Sequence, residues 1–350
     1  MSLNAQMQTQ TPAAAMAGRA KRGRQRAVVA VVLLVALAAL ALLLMTCGNT
    51  YYSPATVWRV LFGGGESGTD FTIRTLRLPR LLVGLLAGLC FGMAGNTFQT
   101  LLGNDLASPD IIGVTAGSST AAVFCILMLH MSGGAVSFFS LLAGLAAAVL
   151  VYGLAQGHNF SRGRLILIGI GIEAMLRAVT NYLLLRGAQY DVATALRWLN
   201  GSLNNAKLDQ VPILLLVTIC GGAFLMGLRR HLEVMQLGDA TASTLGLRLR
   251  STYLLLIFGA VVLVAYATAA AGPIASVSFL AGPIASRLIG KGQANTLHAG
   301  LVGAVLVLAG DFIGQFALGT RYPVGVITGV LGAPYMIYLL IRANRKGDSI

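Results

Sequence analysis

Ten apolar runs separated by short polar segments organise the sequence. They lie near residues 27–45, 81–98, 112–130, 135–155, 165–185, 211–228, 252–270, 274–289, 297–318 and 324–341. Roughly 20 apolar residues carry an α-helix across the hydrocarbon core of a bilayer. The pattern therefore predicts an all-α polytopic membrane protein of about ten transmembrane helices. Ten crossings put both ends of the chain on one side. On that side fall sixteen Lys and Arg, in segments around 19–26, 162–164, 229–250, 287–291 and 342–346. The opposite side holds eight: Arg59, Arg74, Arg77, Arg80, Arg186, Arg197, Lys207 and Arg321. Basic residues are retained in cytoplasmic loops, so the two-to-one excess places both termini in the cytoplasm. An odd number of spans would invert half of the loops and weaken the asymmetry.

This topology divides the chain into a basic cytoplasmic tail (1–26), a transmembrane domain (27–341) whose main cytoplasmic segment is 229–250, and a second tail (342–350). The first run follows Arg19, Lys21, Arg22, Arg24 and Arg26, as in a secretory signal. It is too long for one, and no small-residue cleavage site follows. Leu44-Met45-Thr46-Cys47 makes a poor lipoprotein site, because Met and Thr stand where small residues are needed. Glycine recurs every fourth position at Gly84, Gly88 and Gly92, at Gly113 and Gly117, and at Gly310 and Gly314. Faces without side chains let helix backbones approach closely where lipid supplies no hydrophobic drive between them, so these positions predict tight packing. No tandem repeat at a period of 20–50 residues is present, which leaves one domain and no solenoid.

Composition narrows the function classes. The chain is 56% hydrophobic and 10% charged, against about 25% charged for soluble domains, and its mean hydropathy is +0.78. A soluble globular enzyme is excluded. A net charge of +14 on a soluble protein would suggest nucleic acid; here the cytoplasmic loops account for it, and no nucleic-acid partner is expected. Cys47, Cys90, Cys125 and Cys220 are far apart, without CxxC or His-paired spacing, so they read as packing residues. Gly63-Gly64-Gly65 lacks the lysine of a phosphate-binding loop, and no HExxH, GxSxG or paired-carboxylate constellation occurs. His130, His158, His231 and His298 are scattered, mostly at predicted helix ends. No catalytic residue, metal or cofactor is expected.

Ionisable residues inside spans are costly and carry a functional hypothesis. Glu173 and Arg177 stand four apart in the fifth run, the spacing at which they neutralise each other on one helix face. A structural salt bridge and a translocation role both remain open. Asp311, in the ninth run, has no local partner; it could cap, pair across helices or line a cavity. In the segment 229–250, Asp239 is a good N-cap and Gly246 a plausible helix stop. The helix between them is too short to persist alone in water. It needs a surface, either lipid headgroups or a cytoplasmic protein.

At these residues a resemblance emerges. Leu237, Gly238, Ala242, Leu245 and Gly246 match the L-G-x-x-x-A-x-x-L-G coupling helix of bacterial ABC-importer permeases for iron–siderophores, haem and cobalamin. Arg77-Leu78-Pro79-Arg80 resembles that family's R-L-P-R, and Gln99 through Gly113 its Q-x-x-x-x-N-P-L-A-x-P-x-x-x-G. Trp198-Leu199-Asn200-Gly201-Ser202-Leu203 is similar to its W-x-x-G-S-L, and Pro323 through Pro334 to its closing P-x-G-V-x-T…G-A-P. The matches run in order from about 74 to 340. The Trp198 loop, Gly169–Leu176 and Leu237–Ala242 look most like subunits importing ferric catecholate siderophores.

The resemblance implies a type II importer permease bundle in the bacterial cytoplasmic (inner) membrane. Its partners would be two ATP-binding subunits, a second permease subunit more often different than identical, an extracytoplasmic solute-binding protein and surrounding lipid. The cargo would be a ferric siderophore, with cobalamin or haem as the alternative in the same class. Leu237, Gly238, Asp239, Ala242, Leu245 and Gly246 would couple to the ATPase. Arg77 and Arg80 would meet the binding protein, with Arg321 a third candidate by position. Asn96, Gln99, Asn104 and Ser108 are pathway candidates, since polar residues and irregular backbone at membrane depth belong in protein or along a cavity. Two departures stand out: Asp105 replaces the proline of N-P-L-A, and Gly282-Pro283 replaces Pro-His. The competing class is an ATPase-independent secondary carrier, marked by inverted repeats and unpaired carboxylates. Half-to-half symmetry is missing, and Asp311 is the one unpaired acid within a run.

Overall fold

The computed structural model describes residues 12–64, 67–156, 162–274, 276–290 and 295–345. Residues 1–11 of the basic tail, Gly65, His158, Ala275, Lys291 and 346–350 of the second tail lie outside the described residues. Regular structure among the described residues is helical throughout. In chain order the helices are α1 (Pro12–Thr46), α2 (Pro54–Gly63), α3 (Ser67–Asp70), α4 (Leu78–Leu102), α5 (Val114–Leu127), α6 (Gly134–Ala155), α7 (Arg162–Arg186) and α8 (Gln189–Leu199). There follow α9 (Val211–Gly227), α10 (Arg229–Met235), α11 (Asp239–Thr244), α12 (Leu249–Ala271), α13 (Val277–Ile289), α14 (Thr296–Phe316) and α15 (Val324–Arg345). Each apolar run lies on a helix: α1, α4, α5, α6, α7, α9, α12, α13, α14 and α15.

Seven of these are long and apolar enough to cross a membrane; α5, α13 and the apolar part of α15 (Val324–Leu339) are shorter. At 1.5 Å per residue, the 14-residue α5 is about 21 Å long, short of the roughly 30 Å hydrocarbon core. The run at 112–130 predicted a longer helix. Pro109 and Gly113 instead make a 3₁₀ turn before α5. The 13-residue α13 is bounded by Ser276 at φ +67° and Gly290 at φ +101°. Both helices are packed against neighbours, where irregular backbone at their ends is shielded from lipid.

The most enclosed helix is α4, which packs against α14, α12, α13 and α9. The expected glycine face explains how. Gly88 brings the α14 backbone so near that a Cβ would lie 2.5 Å from Ala304 Cα and 2.7 Å from Gly303 O. At Gly92 a Cβ would collide with Ala299 O, and at Gly95 with Ser278 O of α13. Around this seam Val83, Ala87, Phe91, Ala94 and Phe98 bury against Leu256, Ala260 and Leu263 of α12.

Contacts between connections show that the helices alternate in direction. At one end Arg321 donates to Asn49 Oδ1 (2.8 Å), Arg80 to Asn204 Oδ1 (2.5 Å) and the Gly325 N–H to Gly201 O (3.3 Å). At the other, Gln25 donates to Leu288 O (2.9 Å) and Arg250 to Gln156 Oε1 (2.8 Å). Gly92→Val would drive two methyls into the α14 backbone and should lower stability by about 3 kcal/mol. Gly171→Ala, where nothing lies within 4 Å of an added Cβ, should raise it by about 0.5 kcal/mol. Thermal unfolding of the two variants in detergent checks the contrast.

Candidate functional site

Two glycines isolate α11. Gly238 precedes it at φ +94° and Gly246 follows at φ +85°, and a Cβ at either would meet open space. The Gly246 N–H bonds Ser243 O (3.0 Å) and the Leu247 N–H bonds Ala242 O (3.0 Å), so Gly246 is the helix stop the sequence indicated. The N-terminus differs. Gly238 is the N-cap, and Asp239 is the first helical residue. Its carboxylate does not cap because it accepts hydrogen bonds from Arg162 of α7 and Tyr253 of α12. Ala242 is buried and anchors the segment, whereas Leu237 and Leu245 are 61% and 62% exposed. Six residues flanked by two bare leucines form a knob that the protomer itself does not cover.

The four pathway candidates fall into two pairs, one buried between helices and one in the turn after α4. Asn96 and Gln99 are buried in the α4 seam. Asn96 accepts from Thr296 of α14 (3.4 Å), and Gln99 Nε2 donates to Phe279 O of α13 (2.8 Å). The second contact fits the residues at 282–283. Pro283 lies inside α13 and has no N–H, which frees the carbonyl four residues earlier, at Phe279. Gly282 leaves the space that the Gln99 amide fills; a Cβ there would collide with Oε1. Asn104 and Ser108 hold the turn between α4 and α5: Asn104 Oδ1 accepts from the Leu106 N–H (2.8 Å), and Ser108 caps the 3₁₀ turn through Asp110. Asp105 is exposed in that turn.

At the opposite end the arginines divide. Arg80 was expected to meet a partner, but it faces inward. Its Nη2 lies 2.7 Å and its Nε 2.9 Å from the Asp311 carboxylate, with side chains 16% and 1% exposed. Gln315 donates to the same carboxylate at 2.8 Å. Asp311 thus pairs across helices, and a buried carboxylate requires such a partner. Arg77 binds the end of α1 through Met45 O and Thr50 O, both at 2.6 Å, and lies 5.0 Å from the Tyr52 ring centroid. Arg321 is exposed and bonded to Asn49. Beside them, the Trp198–Leu203 loop is stitched to its neighbours: the Ser202 N–H bonds Ala271 O (2.8 Å), and Gly201 leaves Pro273 O 2.6 Å from where a Cβ would sit.

Glu173 and Arg177 form the expected pair, Nη2 to Oε1 at 2.6 Å, with Arg177 73% and Glu173 21% exposed. They share α7 with exposed Leu167, Ile170, Met175 and Leu185. Sequence reasoning missed Arg162 and Tyr253, since 77 positions separate Arg162 from Asp239 and no local spacing links them. The role of Gln99 carried a usable signal: a proline inside an apolar run frees a carbonyl that another helix must satisfy.

Apolar helices packed on one another and a short exposed helix between glycine stops define a polytopic membrane bundle. The chain belongs to the FecCD transport family, whose model matches residues 27–342. It is 36% identical over 295 residues to the ferric enterobactin transport system permease protein FepG of Escherichia coli (strain K12), covering 83% of this chain and 88% of that one. The iron(3+)-hydroxamate import system permease protein FhuG of Bacillus subtilis (strain 168) is 35% identical, with 83% and 90% covered. A solved structure described as an inward-facing conformation of a metal-chelate type ABC transporter superposes with a TM-score of 0.77 at 24% identity, covering 90% of this chain and 99% of that one. It shares the fold. Members of the family are permease subunits of ABC importers, integral to the inner membrane and working with ATPase subunits and a binding protein.

Replacing Arg80 tests packing before any partner. Arg80→Ala strands the buried Asp311 carboxylate and should cost about 3 kcal/mol or more. The reversed pair Arg80→Asp with Asp311→Arg should recover part of that loss in thermal unfolding.

Proposed function

We propose that the chain is the membrane subunit of an ABC importer for a ferric siderophore of the catecholate class, working by ATP-driven alternating access. Ten crossings with both termini in the cytoplasm agree with the alternation of the helices and the charge asymmetry. In this reading α11 faces the cytoplasm, and an ATPase covers Leu237 and Leu245; the exposed leucine beside each glycine stop is the observation that carries it. Closure of the ATPases would move α11 and tilt the bundle, a rigid-body switch between outward and inward states. A second permease subunit would face the outer surface of α7. A charged pair in mid-span that stays open to its surroundings is at home against protein or a watery pathway, not lipid. The catecholate class rests on the similarity to FepG together with the Trp198 and Gly169–Leu176 motifs.

The binding protein would dock at the opposite end. Arg321 is the first candidate to meet its carboxylates and Arg77 the second, while Arg80 contributes indirectly by holding α4 to α14. Arg321→Glu should slow association of the binding protein by about tenfold at low salt without altering thermal stability. Stopped-flow or surface-binding kinetics measure it.

Affinity purification of the tagged chain from its native membrane in mild detergent tests the whole reading. An ATPase and a second permease should accompany it. Gly246→Arg places a charged, left-handed residue beside Leu245 and should reduce the recovered ATPase about tenfold. Absence of any ATPase, even after cross-linking at 237–247, would overturn the importer reading in favour of a secondary carrier.

A further inference from the structure

Arg162 stands where four elements meet. It opens α7, its Nε–H donates to Tyr253 Oη of α12, and its Nη2 donates to Asp239 of α11. Tyr253 in turn donates to the same carboxylate at 3.0 Å. The guanidinium carbon lies 5.7 Å from the Tyr253 ring centroid. Nη1 is 3.2 Å from where a Cβ on Gly103, the stop of α4, would sit. Tyr253 is 1% exposed, so one acceptor of the fork is fixed by packing while the other sits on the short helix between Gly238 and Gly246. A planar guanidinium engaged at two acceptors holds a direction as well as a distance.

Covalent links do not supply the same connection. From α11 the chain runs through Gly246 into α12, and α10 precedes it through Gly238; α7 is joined to neither. Yet α7 is fixed close to the turn that follows α4, since a Cβ on Gly169 would collide with Ile111 O. Farther along, Thr120 Oγ1 of α5 bonds Leu176 O (3.1 Å) and lies 2.9 Å from Thr180 Oγ1. Its remaining face, with Glu173 and Arg177, is open. A displacement of α11 therefore has a direct polar route into the helix that carries the mid-span ion pair.

We infer that Arg162 is the positioning residue that transmits movement of α11 to α7, with Tyr253 holding its fork in register. This rests on the reading of 237–247 as the ATPase-docking segment. The coupling is mechanical, and Arg162 touches neither nucleotide nor cargo.

The experiment uses the assembled importer in lipid nanodiscs, with nitroxides at Met175→Cys on α7 and Leu216→Cys on α9 in a Cys220→Ser background. Nucleotide trapping should shift the inter-label distance in the Arg162 parent. In Arg162→Ala at least about half of that shift should be lost while the ATPase stays bound and hydrolyses ATP. Arg162→Lys, which keeps the charge at Asp239, should restore part of it. A full shift in Arg162→Ala overturns the inference. Should that variant fail to assemble, Arg162→Gln decides: it keeps much of the stem and removes the ionic link to Asp239, and a full shift there overturns the inference equally. If no ATPase assembles with the parent, the docking reading fails first, before any Arg162 variant is made.

Discussion

Backbone-to-backbone approach along α4 is the contact on which the bundle depends. In lipid, helices gain little from hydrophobic exclusion and much from close van der Waals contact. Gly88, Gly92 and Gly95 bring α14 and α13 to within the radius a methyl group would need. That closeness leaves no room for water, so polar groups in the seam find partners inside it: Asn96 with Thr296, Gln99 with Phe279 O, Cys90 with Thr218. The remaining helices are arranged around this pair, and the two ends of the bundle inherit their geometry from it.

Charge is distributed in keeping with that arrangement. The ion pair of Arg80 and Asp311 sits near one end of the α4–α14 contact, where it prevents a buried carboxylate from standing alone. Replacing such a pair by apolar residues often costs little, whereas removing one partner costs much; its value therefore lies in fixing how the two helices register. At the other end the ionic contact of Arg162 and Asp239 joins elements that are distant in sequence and poorly joined otherwise. One end is held by a sealed contact and the other by a partly open one.

Much of this was legible beforehand. The ten apolar runs fell on helices because hydrophobic length alone marks them, and Gly84, Gly88 and Gly92 announced a packing face because four-residue spacing is a property of the helix itself. Gly246 as a stop and the Glu173–Arg177 pair were local, and local geometry is what a linear pattern encodes. The failures were all long-range. Asp311 found Arg80 across 231 positions, and Asp239 found Arg162 across 77; nothing near either carboxylate names its partner. The partners of Asn96 and Gln99 were hidden for the same reason: polar side chains at membrane depth have two uses, to line water or to bond another helix, and composition does not separate them. The shortness of α5 and α13 likewise depends on neighbours that shield their ends.

The junction of Gln99, Gly282 and Pro283 also constrains how the chain can change over generations. Any side chain at 282 would evict the Gln99 amide, and losing that amide would leave Phe279 O without its donor for as long as residue 283 is proline. Change at 282 or at 99 first passes through an overpacked seam or an orphaned carbonyl, so the open route begins at 283, where any other residue restores the missing N–H. The family pattern keeps glutamine at the position of Gln99 beside Pro-His, so the glutamine does not depend on the glycine; it is the glycine and the proline that depend on where the glutamine amide sits.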